Sequence, residues 1–211
     1  EDDYRKIGSW GGIITWLLAE LIKTGKIDFI IHVKNNNDSK KRILFKYDIS
    51  KTIEDVKDGA KSRYYPIEMS EVLEKIRATP GRYAIVGLPC FIKAIRKLGK
   101  VDPIIKERVT FLIGLVCGHL KSNAFADYFG WQVGIPPGKL EEIDFRKKFS
   151  DLPARHYGLY LKGAGKEVTR PVREFIGANW GHNLFRYPAC DFCDDVFAET
   201  ADIVVGDAWL P

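Results

Sequence analysis

The sequence predicts an α/β fold, a mixed, mostly parallel sheet flanked by helices, with an irregular cysteine-containing C-terminal part. Two observations carry this. Apolar strands alternate with amphipathic helices from Gly11 to Val133, the pattern of a mostly parallel sheet. Beyond Val133 the alternation stops and short, turn-rich segments follow.

Gly11-Gly12 open a helix that places Ile13, Ile14, Leu17, Leu18, Leu21 and Ile22 on one face, and Gly25 ends it. Ile27 to Val33 and Ile43 to Tyr47 read as strands. Ser70 is expected to cap a helix through Arg77, stopped by Pro80-Gly81. Tyr83 to Val86 is a buried strand leading into Gly87-Leu88-Pro89-Cys90 and a helix to Leu98. Val109 to Val116 is a second buried strand, leading into Cys117-Gly118. Ser122 caps a helix to about Val133. Ile143 to Arg146 reads as a strand, Tyr157 to Lys162 and Glu167 to Arg170 as a hairpin around Gly163-Ala164-Gly165, and Asp202 to Val205 as a last short strand.

The chain has 211 residues, 45% of them hydrophobic, which suits a single α/β domain over residues 1–211. The net charge of +5 is spread among both signs. Its one dense run, Lys40-Lys41-Arg42, follows an Asn-rich stretch and reads as a solvated loop tip without a nucleic-acid motif. The longest apolar run, Ile13 to Leu18, is far short of a membrane span, and no secretory signal is seen, so a cytoplasmic protein is expected. Glu1 leads through a polar segment directly into a glycine-rich turn, and N-terminal material is expected to be missing.

The four cysteines carry the strongest chemical signal. Cys90 and Cys117 each follow a buried strand, so both should emerge at one carboxyl edge of a parallel sheet, where ligands bind. Cys190-Asp191-Phe192-Cys193 is a Cys-x-x-Cys turn. Four thiols are the number a [4Fe–4S] cluster needs. Spacing alone leaves three readings open: a cluster, a zinc site, or unrelated buried thiols. Two polar loops stand beside them. Gly8-Ser9-Trp10-Gly11-Gly12, with Thr15, opens a helix whose free N–H groups favour an anion. Lys61-Ser62-Arg63-Tyr64-Tyr65 offers cations and rings. Neither matches a dinucleotide or P-loop fingerprint.

Taken together, five ordered motifs resemble the coenzyme F420 hydrogenase/dehydrogenase beta-subunit family. They are Gly8-Ser9 with Gly11-Gly12 and Thr15; Ser62-Arg63-Tyr64-Tyr65-Pro66; Gly87-Leu88-Pro89-Cys90; Gly114-Leu115-Val116-Cys117-Gly118; and Cys190 to Asp194 running on to Gly206-Asp207-Ala208-Trp209. The wording from Gly118 to Ser122 and from Phe192 to Trp209 is most similar to members tied to bacterial polysaccharide clusters. The resemblance implies an oxidoreductase subunit that passes electrons between bound FAD, an iron–sulfur cluster and a two-electron substrate such as coenzyme F420. It implies flavin binding at Gly8, Ser9, Gly11, Gly12, Thr15, Ser62, Arg63 and Tyr64. It implies a [4Fe–4S] cluster on Cys90, Cys117, Cys190 and Cys193, and a redox partner subunit or ferredoxin-like domain, with a homo-oligomer also compatible. No catalytic residue is assigned. Two other classes stay open, a zinc-stabilised binding module and a flavin reductase of polysaccharide biosynthesis that does not use F420.

Overall fold

A computed structural model describes residues 2–38 and 43–207. The Lys40-Lys41-Arg42 run and the Ala208-Trp209 end of the last motif lie outside the described residues.

Five strands form the main sheet: β1 (Phe29–Asn35), β2 (Phe45–Ser50), β3 (Tyr83–Gly87), β4 (Val109–Leu115) and β8 (Ile203–Val205). Their order is β2-β1-β3-β4-β8. β2 runs antiparallel to β1, and the other three contacts are parallel. A second sheet, β5 (Leu140–Lys147), β6 (Gly158–Gly163) and β7 (Lys166–Pro171), is an antiparallel meander. The fold class read from the sequence is the one observed.

Strand periodicity sorts the core. Ile31, Ile85 and Leu112 point to one face, where α4 (Ser70–Ala78), α5 (Pro89–Leu98) and α6 (Pro103–Arg108) contribute Val72, Ile76, Ile92, Ile95 and Ile105. Ile30, Ala84, Val86 and Ile113 point to the other, against Leu18 and Leu21 of α2 (Ile13–Lys23) and Val56 of α3 (Ile53–Asp58). Both faces are covered, so the central strands read as unbroken apolar runs. The second sheet builds its own core with α7 (Asn123–Gln132), where Phe125 and Phe129 meet Ile143, Phe145, Leu159 and Leu161. Among the described residues no helix is long and apolar enough to cross a membrane.

Element ends follow local chemistry. α2 closes with Gly25 at φ 63°, its N–H donating to Ile22 O at 2.9 Å while the Lys26 N–H donates to Leu21 O at 3.0 Å. That pair of bonds satisfies two otherwise orphaned carbonyls. Ser70 differs from its expected capping role: Met69 is the N-cap, and Ser70 is tied to the Glu68 carboxylate. Three short helices are additional to the sequence reading. α3 is capped by Thr52, which accepts from the Asp55 N–H at 3.1 Å, and α6 by Asp102, which accepts from Ile104 and Ile105 with Pro103 behind it. Their six residues are too few to show a helical period. α1 (Asp2–Ile7) occupies the segment read as merely polar.

α1 explains Gly12. Gly12 has φ 77°, and a Cβ there would lie 2.2 Å from the Tyr4 carbonyl oxygen. Gly12→Ala is therefore expected to destabilise the chain by about 1–3 kcal/mol from the backbone alone, and by more once the clash is included. A chemical-denaturation midpoint that does not fall would contradict the close packing of α1 on the turn.

Candidate functional site

The parallel pairing of β3 and β4 brings Gly87 opposite Gly114. Cys90 follows β3 by three residues, in the first turn of α5, and Cys117 follows β4 by two. Both emerge at the carboxyl edge of the sheet, as the sequence implied. The Cys-x-x-Cys turn, a 3-10 segment Pro188–Phe192, folds back onto this edge. Its anchors are specific: Leu120 N–H donates to Cys190 Sγ at 3.3 Å, Tyr187 N–H to Leu120 O at 3.2 Å, and Cys117 N–H to Val196 O at 3.0 Å.

All four thiols are free and act on one another electrostatically. Burial pushes the Cys117 thiol up to about 12, with Cys90, Cys190 and Cys193 adding to the rise. Cys90 is raised by burial, and Cys193 and Cys190 add to it. Neighbouring thiolates resist ionisation together until a cation neutralises them. Among the described residues, no three His, Cys, Asp or Glu side chains are disposed to hold a single metal ion. The four sulfurs thus share one electrostatic neighbourhood without closing on one point.

The glycine turn lies at the same edge. Ser9, 7% exposed, accepts a hydrogen bond from the Ser62 N–H at 2.7 Å, which joins the two polar loops. Lys148 Nζ donates to the carbonyls of Arg5 and Trp10, spanning the turn. Arg146, 2% exposed, lies over the Trp10 ring at 5.4 Å and the Tyr157 ring at 5.1 Å, hydrogen-bonds Tyr64, and pairs with Asp207. Asp207 stands two residues past β8, whose carboxyl end is also at this edge. Arg146 therefore links the turn, the Ser62–Tyr64 loop and the sheet edge. Burial lowers the Lys148 ammonium, and Lys61, Arg5 and Arg146 lower it further. Against these four cations stand Asp144, 3.1 Å from Lys61, and Asp207. The turn is a region of surplus positive charge.

The other expected flavin residues divide. Gly11 is exposed, and a Cβ there would meet nothing within 4 Å. Gly8 and Thr15 are buried within the turn and α2. Arg63 turns inward over the Phe45 ring at 5.1 Å, and burial lowers its guanidinium to about 10, partly offset by Asp144. Its guanidinium donates to the carbonyl of Ala60, within its own loop. Beneath this loop, His32 packs directly under Gly59, where a Cβ would lie 2.1 Å from the ring.

Aromatic contacts connect the two halves of the site. The Tyr64 ring lies 4.8 Å from Trp180, which stacks on His119 at 4.5 Å and 16°. His119 is two residues from Cys117. Lys121, 1% exposed, donates to Leu184 O at 2.6 Å and lies over both Phe125 and Trp180, and burial with Arg186 nearby lowers it to about 8. Trp180 and Arg146 were not singled out from sequence. A buried arginine beside Phe145 in an otherwise apolar strand is the one local sign of the latter.

The chain's relatives agree with this construction. Two family models cover it, both described as coenzyme F420 hydrogenase/dehydrogenase, beta subunit. The model of that subunit's N-terminal part matches residues 1–74, and the model of its C terminus matches residues 81–210. The chain belongs to the coenzyme F420 hydrogenase/dehydrogenase beta-subunit family. It is similar to the coenzyme F420-dependent sulfite reductase of Methanocaldococcus jannaschii, 27% identical over 219 residues, covering 97% of this chain and 32% of that protein. The chain thus spans about a third of that relative's length. A solved chain of the F420-reducing NiFe hydrogenase complex from Methanosarcina barkeri shares its fold with a TM-score of 0.68 at 22% identity, covering 100% of this chain and 68% of that one.

His32 supplies a test of the scaffold under the Ser62 loop. It is 6% exposed, with Nε2 2.8 Å from Ser50 Oγ. Burial lowers it to about 4, Lys34 and Arg63 lower it further, and Asp48 and Asp55 oppose them. The unfolded chain takes up this proton near pH 6.5 and the folded one near 4, so the unfolded state binds more protons between those values. Stability from this residue is complete above about pH 6.5 and falls as pH drops to about 4, by about 3 kcal/mol. Denaturation midpoints of His32→Gln should show a shallower slope in that window. An unchanged slope would mean that His32 is already charged in the folded protein.

Proposed function

We propose that this chain carries the flavin and iron–sulfur centres of an F420-type oxidoreductase. It exchanges a pair of electrons with a substrate at bound FAD, and passes them singly through a [4Fe–4S] cluster on Cys90, Cys117, Cys190 and Cys193. The receiver is a redox partner subunit or ferredoxin-like domain. The observation that carries the reading is the convergence of four free thiols, from three separate segments, on the sheet edge that also holds the glycine turn.

The donor set suits a cluster better than zinc. A single tetrahedral zinc at about 2.3 Å from each sulfur would draw the sulfurs to about 3.8 Å from one another. The thiols here share a field without such a point. A cluster of four irons holds its thiolates further apart, one on each iron.

Bound flavin supplies the conversion between a hydride and single electrons. The chain's own groups bind and orient it. Ser9 and Ser62 lock the two loops together, Lys148 holds the turn in shape, and Lys61 and Arg146 surround it with positive charge suited to phosphates. Open space beside Gly11 leaves the backbone accessible. The Tyr64–Trp180–His119 packing fills the gap between the turn and Cys117 with rings and excludes water from it. The family's description and the name of the Methanocaldococcus relative support F420 as the two-electron substrate.

Protein purified without oxygen should contain about four irons and one FAD per chain and absorb broadly in the blue. The Cys190→Ser, Cys193→Ser double variant should lose that absorbance and most of the iron. Full iron retention, or a colourless wild-type protein with stoichiometric zinc, would defeat the cluster assignment. For the flavin, Gly11→Phe is the informative change, because Gly12 is needed by the fold itself. It should weaken FAD binding at least about tenfold, roughly 1.4 kcal/mol, at an unchanged unfolding midpoint. Equal FAD affinity would move the flavin away from the turn. Reduced F420 should bleach the bound flavin and NADH should not; the reverse would make this a flavin reductase that does not use F420.

A further inference from the structure

Tyr47 lies in β2 opposite Val33, and its ring belongs to the core beneath α4 and α5. It is 5% exposed, and among the described residues its hydroxyl donates to no group. A buried tyrosine hydroxyl ordinarily has an acceptor, because without one the donor loses its water and gains nothing.

The hydroxyl's position is fixed from two sides. The ring packs on Phe91 at 5.7 Å, and a Cβ at Gly87 would lie 3.3 Å from the hydroxyl oxygen. Gly87 ends β3, and Cys90 follows in the first turn of α5. The hydroxyl therefore stands at the carboxyl edge, beside the turn that presents Cys90. Burial raises the phenol well above its usual range, and the charge of Cys90 raises it further, so the group is a permanent donor.

We propose that Tyr47 donates a hydrogen bond to the Cys90 sulfur when that cysteine is a cluster ligand, and thereby makes the cluster easier to reduce. The inference rests on the cluster reading above. Reduction adds negative charge that spreads onto the sulfurs, and a donor aimed at one of them stabilises the reduced form more than the oxidised form. The free thiol is a weak acceptor, whereas the ligated thiolate is a strong one.

Tyr47→Phe removes the hydroxyl and keeps the ring. Measured by redox titration of the visible spectrum, its midpoint potential should fall. A tenfold loss of preference for the reduced state corresponds to about 59 mV for one electron. Iron and FAD contents should match wild type. Tyr83→Phe is the control, since Tyr83 opens β3 at the opposite edge and donates to Thr79 O at 2.9 Å; its potential should stay at the wild-type value. Selective iron loss from folded Tyr47→Phe, with Tyr83→Phe retaining full iron, would also support the contact. An unchanged potential at full iron content, or an equal shift in both variants, would overturn it. A wild-type protein without any cluster would instead remove the reading beneath it, and the two failures are told apart by the iron content of wild type.

Discussion

Parallel pairing of β3 with β4 governs most of what this chain can do. Two parallel neighbours must end on the same side of a sheet, so whatever follows Gly87 and Gly114 is delivered to one edge. Gly114 also lets the segment before β8 come close: a Cβ there would lie 2.4 Å from that of Ala198. That approach lets β8 add to β4 in parallel, so that Asp207 too is released at this edge. Asp202 secures the junction, accepting from the Leu112 N–H at 2.7 Å and pairing with Arg96. The gathering of the thiols follows from backbone geometry before any cofactor is considered.

Arg146 is the second organising element. A guanidinium this deeply buried is costly unless its charge is met and its donors are used. The Asp207 carboxylate, the Tyr64 hydroxyl and the faces of Trp10 and Tyr157 meet it from four separate parts of the sequence. The second sheet, which contributes Arg146, is thereby fastened over the main sheet at the functional edge. The same residue belongs to the positive field that suits an anionic cofactor.

The aromatic packing around Trp180 has a different consequence. Electron transfer between two centres depends on their separation and on the medium between them. Tyr64, Trp180 and His119 form a continuous packed path from the Ser62 loop to the residue two beyond Cys117. Lys121, held between Trp180 and Phe125, places a buried cation beside that path. The 3-10 turn carrying Trp180 is held by the Asn179 side chain, which accepts from the Gly181 N–H at 2.9 Å.

The strands and longer helices were legible because burial imposes a period on the sequence: 2 along β3 and β4, where Ile85 and Val86 face opposite layers, and 3.6 along α2. The cysteine pattern was legible for a related reason, since a ligand placed just after a buried strand has its edge determined once that strand is parallel. Short helices such as α3 and α6 were signalled by Thr52 and Asp102 as caps, although six residues carry no period. The sequence by itself determined the fold class, the edge at which Cys90 and Cys117 emerge, and the glycine turn. Only the tertiary structure decided that Arg146 crosses from the second sheet to Asp207, that Gly12 serves the packing of α1, and that Trp180 stands between Tyr64 and His119. Those contacts join residues far apart in the chain, and no local periodicity or spacing encodes a contact that forms only when two separately folded surfaces meet.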